Sequence, residues 1–519
     1  MNGHGVLSDT STLARRGLAH LISLRQRACL TSTYALPLDL FRVLVGLLSF
    51  AYFLQILWDA PLFSDPNGLI DHALVQELFW YTRLSLFQPG MGLPLFQIIF
   101  ALACCASLVL VLGYRVKLVA GVLFVIAVST YRWNFLTIYV DDGIMHLLLA
   151  WMLLLPVGHT LVLQEWLTDP RGSIEGWKQR LVPALPVYCF LANLALVYLV
   201  AGLWKWASPM WRHGIALYAI LKLPIAYHPD FWQPRHLPVL MIGNYLALLT
   251  EPVLPLLFVL PARHPLKWPL GGALIGFHLG ILATLKIPYA NLALPAALVI
   301  IFRDELMQLI RGCGPRLPRA VAAPGLAGRL SVLFVGVLIA AMLWDLWAPT
   351  WRAPTAGPAI AGDRTASDAG LVADYNPVDI PLWLVGIAQS YRLFDWIDER
   401  NFYITYDVIE RDAAGKTQPR EADALFPSSL RSILLQTHLH GVTWARVAST
   451  RAGALTTTLY TRYAARYCRS HAQTGRIEAY ATVQRITAEN LNLGRGRREL
   501  LMQFQCRYGK PVLQYARRP

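Results

Sequence analysis

Ionisable residues inside apolar runs are expensive in a bilayer and tend to mark sites of function. Five groups of them stand out. Arg42 sits early in an apolar run, in PLDLFRVLVG. Asp141, Asp142 and His146 open another, YVDDGIMHLLLAW. Lys205 closes VYLVAGLWKWASPMW between Trp204 and Trp206, Glu251 interrupts ALLTEPVLPLL, and His278 lies within GFHLGILATLKIP. A base, several acids and an imidazole in one bundle are the ingredients of proton transfer. A lysine withdrawn from water has its charged form disfavoured and can serve as a neutral base.

Each residue also has a plainer reading, and both stay open at this level. Arg42 can snorkel to phosphates. Asp141 and Asp142 suit the dipole at a helix N-terminus, and His146 reads equally as a satisfied core histidine. Glu251, bent out by Pro252, reads as a partner for Arg42 or Arg115. Lys205 between two tryptophans matches an interface anchor. His278 resists such a reading, because its short side chain reaches neither interface from the middle of a span.

The elements that must position these residues are membrane helices. Of 519 residues 55% are hydrophobic and 15% charged, whereas soluble domains carry about 25% charged residues. The 17 tryptophans and 22 tyrosines suit aromatic belts at bilayer interfaces. Basic cytoplasmic loops account for the net charge of +15 without any nucleic-acid partner. Runs near the 20 or so apolar residues needed to cross a bilayer predict nine spans, at 37–58, 91–112, 116–132, 141–158, 184–204, 238–261, 269–286, 288–303 and 330–348.

The expected fold is an all-α polytopic bundle of about nine transmembrane helices, followed by a β-rich extracytoplasmic C-terminal domain. Residues 1–35 form a basic cytoplasmic segment, with the first helix retained rather than cleaved, 36–348 the membrane domain and 349–519 the soluble domain. The acidic 59–90 loop falls outside, whereas Arg115 and Lys117, Arg171 to Arg180, Arg263 to Lys267 and Arg303 to Arg329 fall inside. The stretches 401–408 and 500–506 alternate like strands around an AAGK turn at 413–416. Of the seven cysteines, Cys468 and Cys506 are the pair available to a disulfide in that region. Residues 351–430 hold 7 basic and 12 acidic side chains, and residues 431–519 hold 15 and 3. That basic face suits lipid headgroups or an acidic peptide. No P-loop, HExxH, CxxC or nucleophile elbow is present. The spacing of His72, His146, His213 and His278 does not argue for a metal.

Several motifs resemble the horizontally transferred transmembrane (HTTM) domain, the family of vitamin K-dependent γ-glutamyl carboxylase. They are LDLFRVLVGLL, LGYR at 112–115, YLVAGLWKW followed by Trp211 and Gly214, GFHLGILATLKIP, and Glu251 at the place of an intramembrane acid. The resemblance covers roughly residues 35–305, and AQSYRLFDW, DAAGK and FPSSLR resemble the tail of bacterial members. It implies a multi-pass protein of the inner (cytoplasmic) membrane, with its N-terminus cytoplasmic and its C-terminal domain periplasmic or extracellular.

It also implies a reaction. A lysine, here Lys205, deprotonates a reduced vitamin K or menaquinone. The hydroquinone reacts with O2, and the strong base so formed takes the γ-proton of a glutamate, which adds CO2. Lys205, His278 and Asp142 would be catalytic. Asp141, His146, Trp204, Trp206 and Glu251 would bind the cofactor, and an exported acidic peptide or protein would be the partner. Two departures stand. Asp141 and Asp142 replace an Asn–His pair, and the asparagine expected close behind His278 is lacking. Beside this carboxylase-like reading stand a non-catalytic factor for maturation or export of a secreted product and, last, proton-coupled transport, for which no inverted repeat speaks.

Overall fold

A computed structural model describes residues 31–311 except 79, 138 and 224, residues 325–351, and in the C-terminal region 402–411, 417–418, 458–459, 461–466, 468–469, 476–485, 497–508 and 510–516. The 1–30 segment, the 413–416 turn and the AQSYRLFDW and FPSSLR motifs lie outside the described residues.

Strand β1 (Ser32–Tyr34) leads into helix α1 (Ala35–Phe63), followed by α2 (Leu93–Leu112), α3 (Val116–Trp133) and α4 (Val140–Leu154). Strand β2 (Leu181–Pro183) pairs antiparallel with β1 and opens α5 (Leu185–Ala207). Then come α6 (Leu237–Val253), α7 (Lys267–Thr284), α8 (Pro288–Ala296) and α9 (Leu326–Trp351). Proline in the first turn, where its missing N–H is no loss, begins α2, α5, α6 and α8.

Among the described residues, six helices are long and apolar enough to cross a membrane: α1, α2, α3, α5, the Pro234–Val259 stretch containing α6, and Leu326–Leu343 of α9. This is a multi-pass membrane protein. The other three expected spans are shorter, more polar or broken. The fourth is the 15-residue α4, ending before Pro156, and the seventh is the 18-residue α7. The eighth divides into α8 and a four-residue helix, Leu298–Ile301, just after Pro295. A proline removes one intrahelical hydrogen bond and crowds the preceding turn.

The basic segments gather at one end of the bundle. Asp39 accepts from the backbone N–H groups of Gly158, His159 and Thr160, from the Thr160 hydroxyl and from Arg42 Nε, at 2.5–2.9 Å. The Arg42 guanidinium, fully buried, donates to the carbonyls of Leu110, Val111, Thr160 and Leu161. Snorkelling to phosphates is therefore overturned for Arg42: its charge is taken up by Asp39 and by backbone carbonyls at the end of α2 and at residues 160 and 161. Gly113, in the left-handed region at φ 78°, turns the chain directly over this guanidinium. At the same end Arg180 donates to the His159 carbonyl and to Glu165, Arg311 to the Tyr34 hydroxyl, and Lys267 pairs with Glu305 at 2.8 Å.

The acidic 59–90 loop lies at the opposite end. Trp133 donates to the Ser64 carbonyl, and its ring stacks on His72 at 3.9 Å. Burial pulls the His72 imidazole down to about 3, so it sits there as a neutral stacking partner. A helical stretch at 461–466 docks on this loop. Arg462 donates to the carbonyls of Pro66, Gly68 and Ile70 and meets Asp71 at 3.3 Å, while Arg466 reaches the Pro61 carbonyl.

Beyond α9, five strands form an antiparallel sheet in the order β4-β3-β5-β6-β7, with β3 Phe402–Arg411, β4 Thr417–Gln418, β5 Arg476–Arg485, β6 Arg497–Arg507 and β7 Lys510–Ala516. Residues 402–408 of the first alternating stretch fall in β3, and the 500–506 stretch falls in β6. Cys468 and Cys506 form a disulfide that ties the docked segment to β6.

Candidate functional site

Lys205 lies in the last turn of α5 and Glu251 near the end of α6. The two side chains meet at 2.7 and 2.5 Å from Nζ to the two carboxylate oxygens. They are 2% and 3% exposed. The reading of Glu251 as a partner for Arg42 or Arg115 is thus corrected, since Lys205 takes that carboxylate and Arg42 has Asp39.

The approach of the two helices explains the pair. Gly202 lies one turn before Lys205, and a Cβ there would stand 2.8 Å from the Pro252 ring. A bare backbone lets α6 come close enough for the residue beside Pro252 to reach Nζ. Gly202→Val is expected to force α5 and α6 apart, cost about 1–3 kcal/mol by overpacking and lengthen the ion pair. A denaturant titration of the detergent-solubilised protein measures the cost; a wild-type midpoint would contradict it.

The aromatic face over the Nζ atom belongs to Trp211, with its ring centroid 5.4 Å away, inside cation–π range. Successive helical positions differ by about 100°, so Trp204 and Trp206 cannot share the face of Lys205. Trp206 is 45% exposed and donates to the Leu248 carbonyl at 2.9 Å. Trp204 packs against Val197, Val200 and Met342. An interface anchor presents its ammonium to water or headgroups; this one is enclosed.

His278 stands in a second hydrogen-bonded group. Its Nε2 lies 2.6 Å from the Tyr198 hydroxyl and its Nδ1 2.7 Å from Asn291 Oδ1, all three side chains being buried. Tyr198 lies on α5 seven residues before Lys205, two helical turns along the same face. Asn291, the amide partner of this histidine, is not close behind it in the sequence. Residues 285–287 reverse the chain, so the residue level with the histidine is thirteen positions on. Tyr198 was not singled out in the sequence, although its i, i+7 spacing from Lys205 was a usable signal.

Asp141 and Asp142 build the support. Asp141, fully buried, accepts from the backbone N–H groups of Tyr289 and Ala290 at 3.0 and 2.7 Å and from the Tyr139 hydroxyl at 2.7 Å. It therefore caps α8 from outside that helix, whose own N-cap residue, Ile287, has no side-chain acceptor to offer. Asn291 follows one residue after Ala290, so this cap also sets the partner of His278. Asp142 accepts from Tyr52 at 2.6 Å and from the Tyr139 backbone, closing its own helix start. The His146 ring lies edge-on to Tyr131 at 5.1 Å.

In chemical terms, the contacts between Nζ and both carboxylate oxygens are short enough for the pair to share one proton. Two opposite charges in apolar surroundings are stable only together. Moving the proton from Nζ to the carboxylate removes both charges at once and leaves a neutral amine, a base with no net charge buried. Among the described residues, no three or more His, Cys, Asp or Glu side chains are grouped to hold a metal ion. Comparison with known protein families, with curated proteins and with solved structures returns no match to this chain.

Proposed function

We propose that this membrane protein is a carboxylase-like enzyme of the HTTM type, in which Lys205 is the base. The observation that carries this reading is the enclosed Lys205–Glu251 pair within the bundle, beside a histidine held at both ring nitrogens. A bilayer protein maintains buried ionisable groups at a cost. The residues suit a reduced quinone in kind: an amine able to take a phenolic proton, an aromatic face at Trp211 and apolar helices around them. With its own proton held on Glu251, Lys205 Nζ receives the phenolic proton; the ammonium formed faces Trp211 and is balanced by the phenolate left behind. A bound reduced quinone, with O2, would supply the strong base for proton removal from an exported acidic peptide or protein, and CO2 would add to the carbanion.

On the same reading, α4, α7 and the α8 segment complete nine spans, with the basic end in the cytoplasm of a bacterial inner membrane and the sheet on the far side. Segregation of basic and acidic loops to opposite ends supports this placement. So does the Cys468–Cys506 disulfide, which belongs in an oxidising compartment.

The test is turnover. The purified protein is given reduced menaquinone or vitamin K under air, and quinone epoxide is measured by mass spectrometry. Epoxide is expected from the wild type and at least about 100-fold less from Lys205→Ala and Lys205→Arg, since guanidinium stays protonated. No epoxide from the wild type, with both variants still supporting function in cells, would contradict the enzyme and favour the maturation or export role.

A further inference from the structure

Resting on the carboxylase-like reading, we infer that Tyr198 is a proton-relay residue, through which His278 serves as a second proton acceptor of the same site.

The direction of the relay follows from the hydrogen bonds. Asn291 Nδ2 donates to the Ile287 carbonyl at 2.7 Å, which turns Oδ1 towards His278. An amide oxygen only accepts, so His278 Nδ1 must carry a hydrogen. In the neutral ring Nε2 is then the acceptor, and the Tyr198 hydroxyl 2.6 Å away is its donor. With its own proton directed at the imidazole, the Tyr198 oxygen keeps its lone pairs for a proton arriving from elsewhere.

The step balances without another reactant. A ligand hydroxyl passes its proton to Tyr198 Oη while the tyrosine passes its own to His278 Nε2. The ligand is left as an oxyanion, Tyr198 is neutral again and His278 is an imidazolium whose two N–H groups face Tyr198 and Asn291. Lys205 Nζ is the other acceptor, on a backbone position about 10 Å along α5 from that of Tyr198 at 1.5 Å per residue. Phe258 stacks against the tyrosine ring at 5.9 Å, fixing the phenol on this face. The structural alternative for Tyr198, a buried hydroxyl satisfied by a histidine, predicts the same distances but no role in turnover.

The test has two readouts on the full chain in lipid nanodiscs. The first is nitrogen NMR of 15N-histidine-labelled protein, with the His278 signals identified by their loss in His278→Gln. The Nδ1–H tautomer is expected in the wild type and in Asn291→Asp, a mixture in Asn291→Leu, and a displaced Nε2 resonance in Tyr198→Phe. The second is oxidation of reduced menaquinone under air. Tyr198→Phe is expected to lower kcat about 100-fold or more with little change in KM. An Nε2–H tautomer in the wild type, or Tyr198→Phe turning over like the wild type, would overturn the relay. A wild type without turnover sinks the carboxylase reading and the relay that rests on it, whereas an Nε2–H tautomer in an active wild type overturns the relay alone.

Discussion

Glu251→Leu should destabilise the protein by about 3–5 kcal/mol, the magnitude for leaving one partner of a buried ion pair uncompensated. Its carboxylate is the counter-charge of a lysine 2% exposed, so the variant strands an ammonium among apolar helices. The informative partner is the double variant Lys205→Met, Glu251→Leu. It removes both charges with side chains of similar volume, a replacement that is often neutral or stabilising. Denaturant midpoints of the wild type, the single and the double variants in one detergent check this. Recovery of stability in the double variant would show that the pair is dispensable for the fold, which leaves chemistry as the reason to keep it. A double variant as unstable as the single one would make the pair a structural clasp.

Asp39→Ala should be comparably damaging, again about 3–5 kcal/mol, for a different reason. The fully buried Arg42 loses its counter-charge, and the N–H groups of Gly158, His159 and Thr160 lose their acceptor together. Asp39→Asn keeps one acceptor oxygen and should lose less. A denaturant midpoint for Asp39→Ala within error of wild type would refute the clasp. The Arg42 corner also shows why loop contacts escape a reading of the chain alone. An arginine three residues after an aspartate at a helix start suggests a local pair, and that pair exists. The carbonyls of Leu110, Val111, Thr160 and Leu161 arrive from segments far away in sequence.

The apolar spans were the legible part, because a bilayer admits only backbone paired within its own segment. α1, α2, α3 and α5 sit close to where hydropathy places them. The weaker cases are physical too: α4 is short, and Pro295 lies near the break in the eighth stretch. Strands β3 and β6 showed through their alternation. In the site, each of Lys205, Glu251 and His278 was conspicuous as a polar residue in an apolar run, but their partners were not. Glu251 finds Lys205 because Gly202 admits Pro252, a packing fact invisible to hydropathy. Asn291 lies beyond a chain reversal from His278, so their pairing does not show in the spacing of one helix. Asp141, expected to hold a cofactor, caps a helix 148 residues away. That likewise depends on the topology.

The most direct measurement is epoxide formation from reduced menaquinone by the Lys205→Met, Glu251→Leu protein beside the wild type, at matched folded fraction. If Lys205 is the base, the wild type makes epoxide and the double variant, though folded, makes none. Epoxide at the wild-type rate from a protein with neither amine nor carboxylate would contradict the account at its centre.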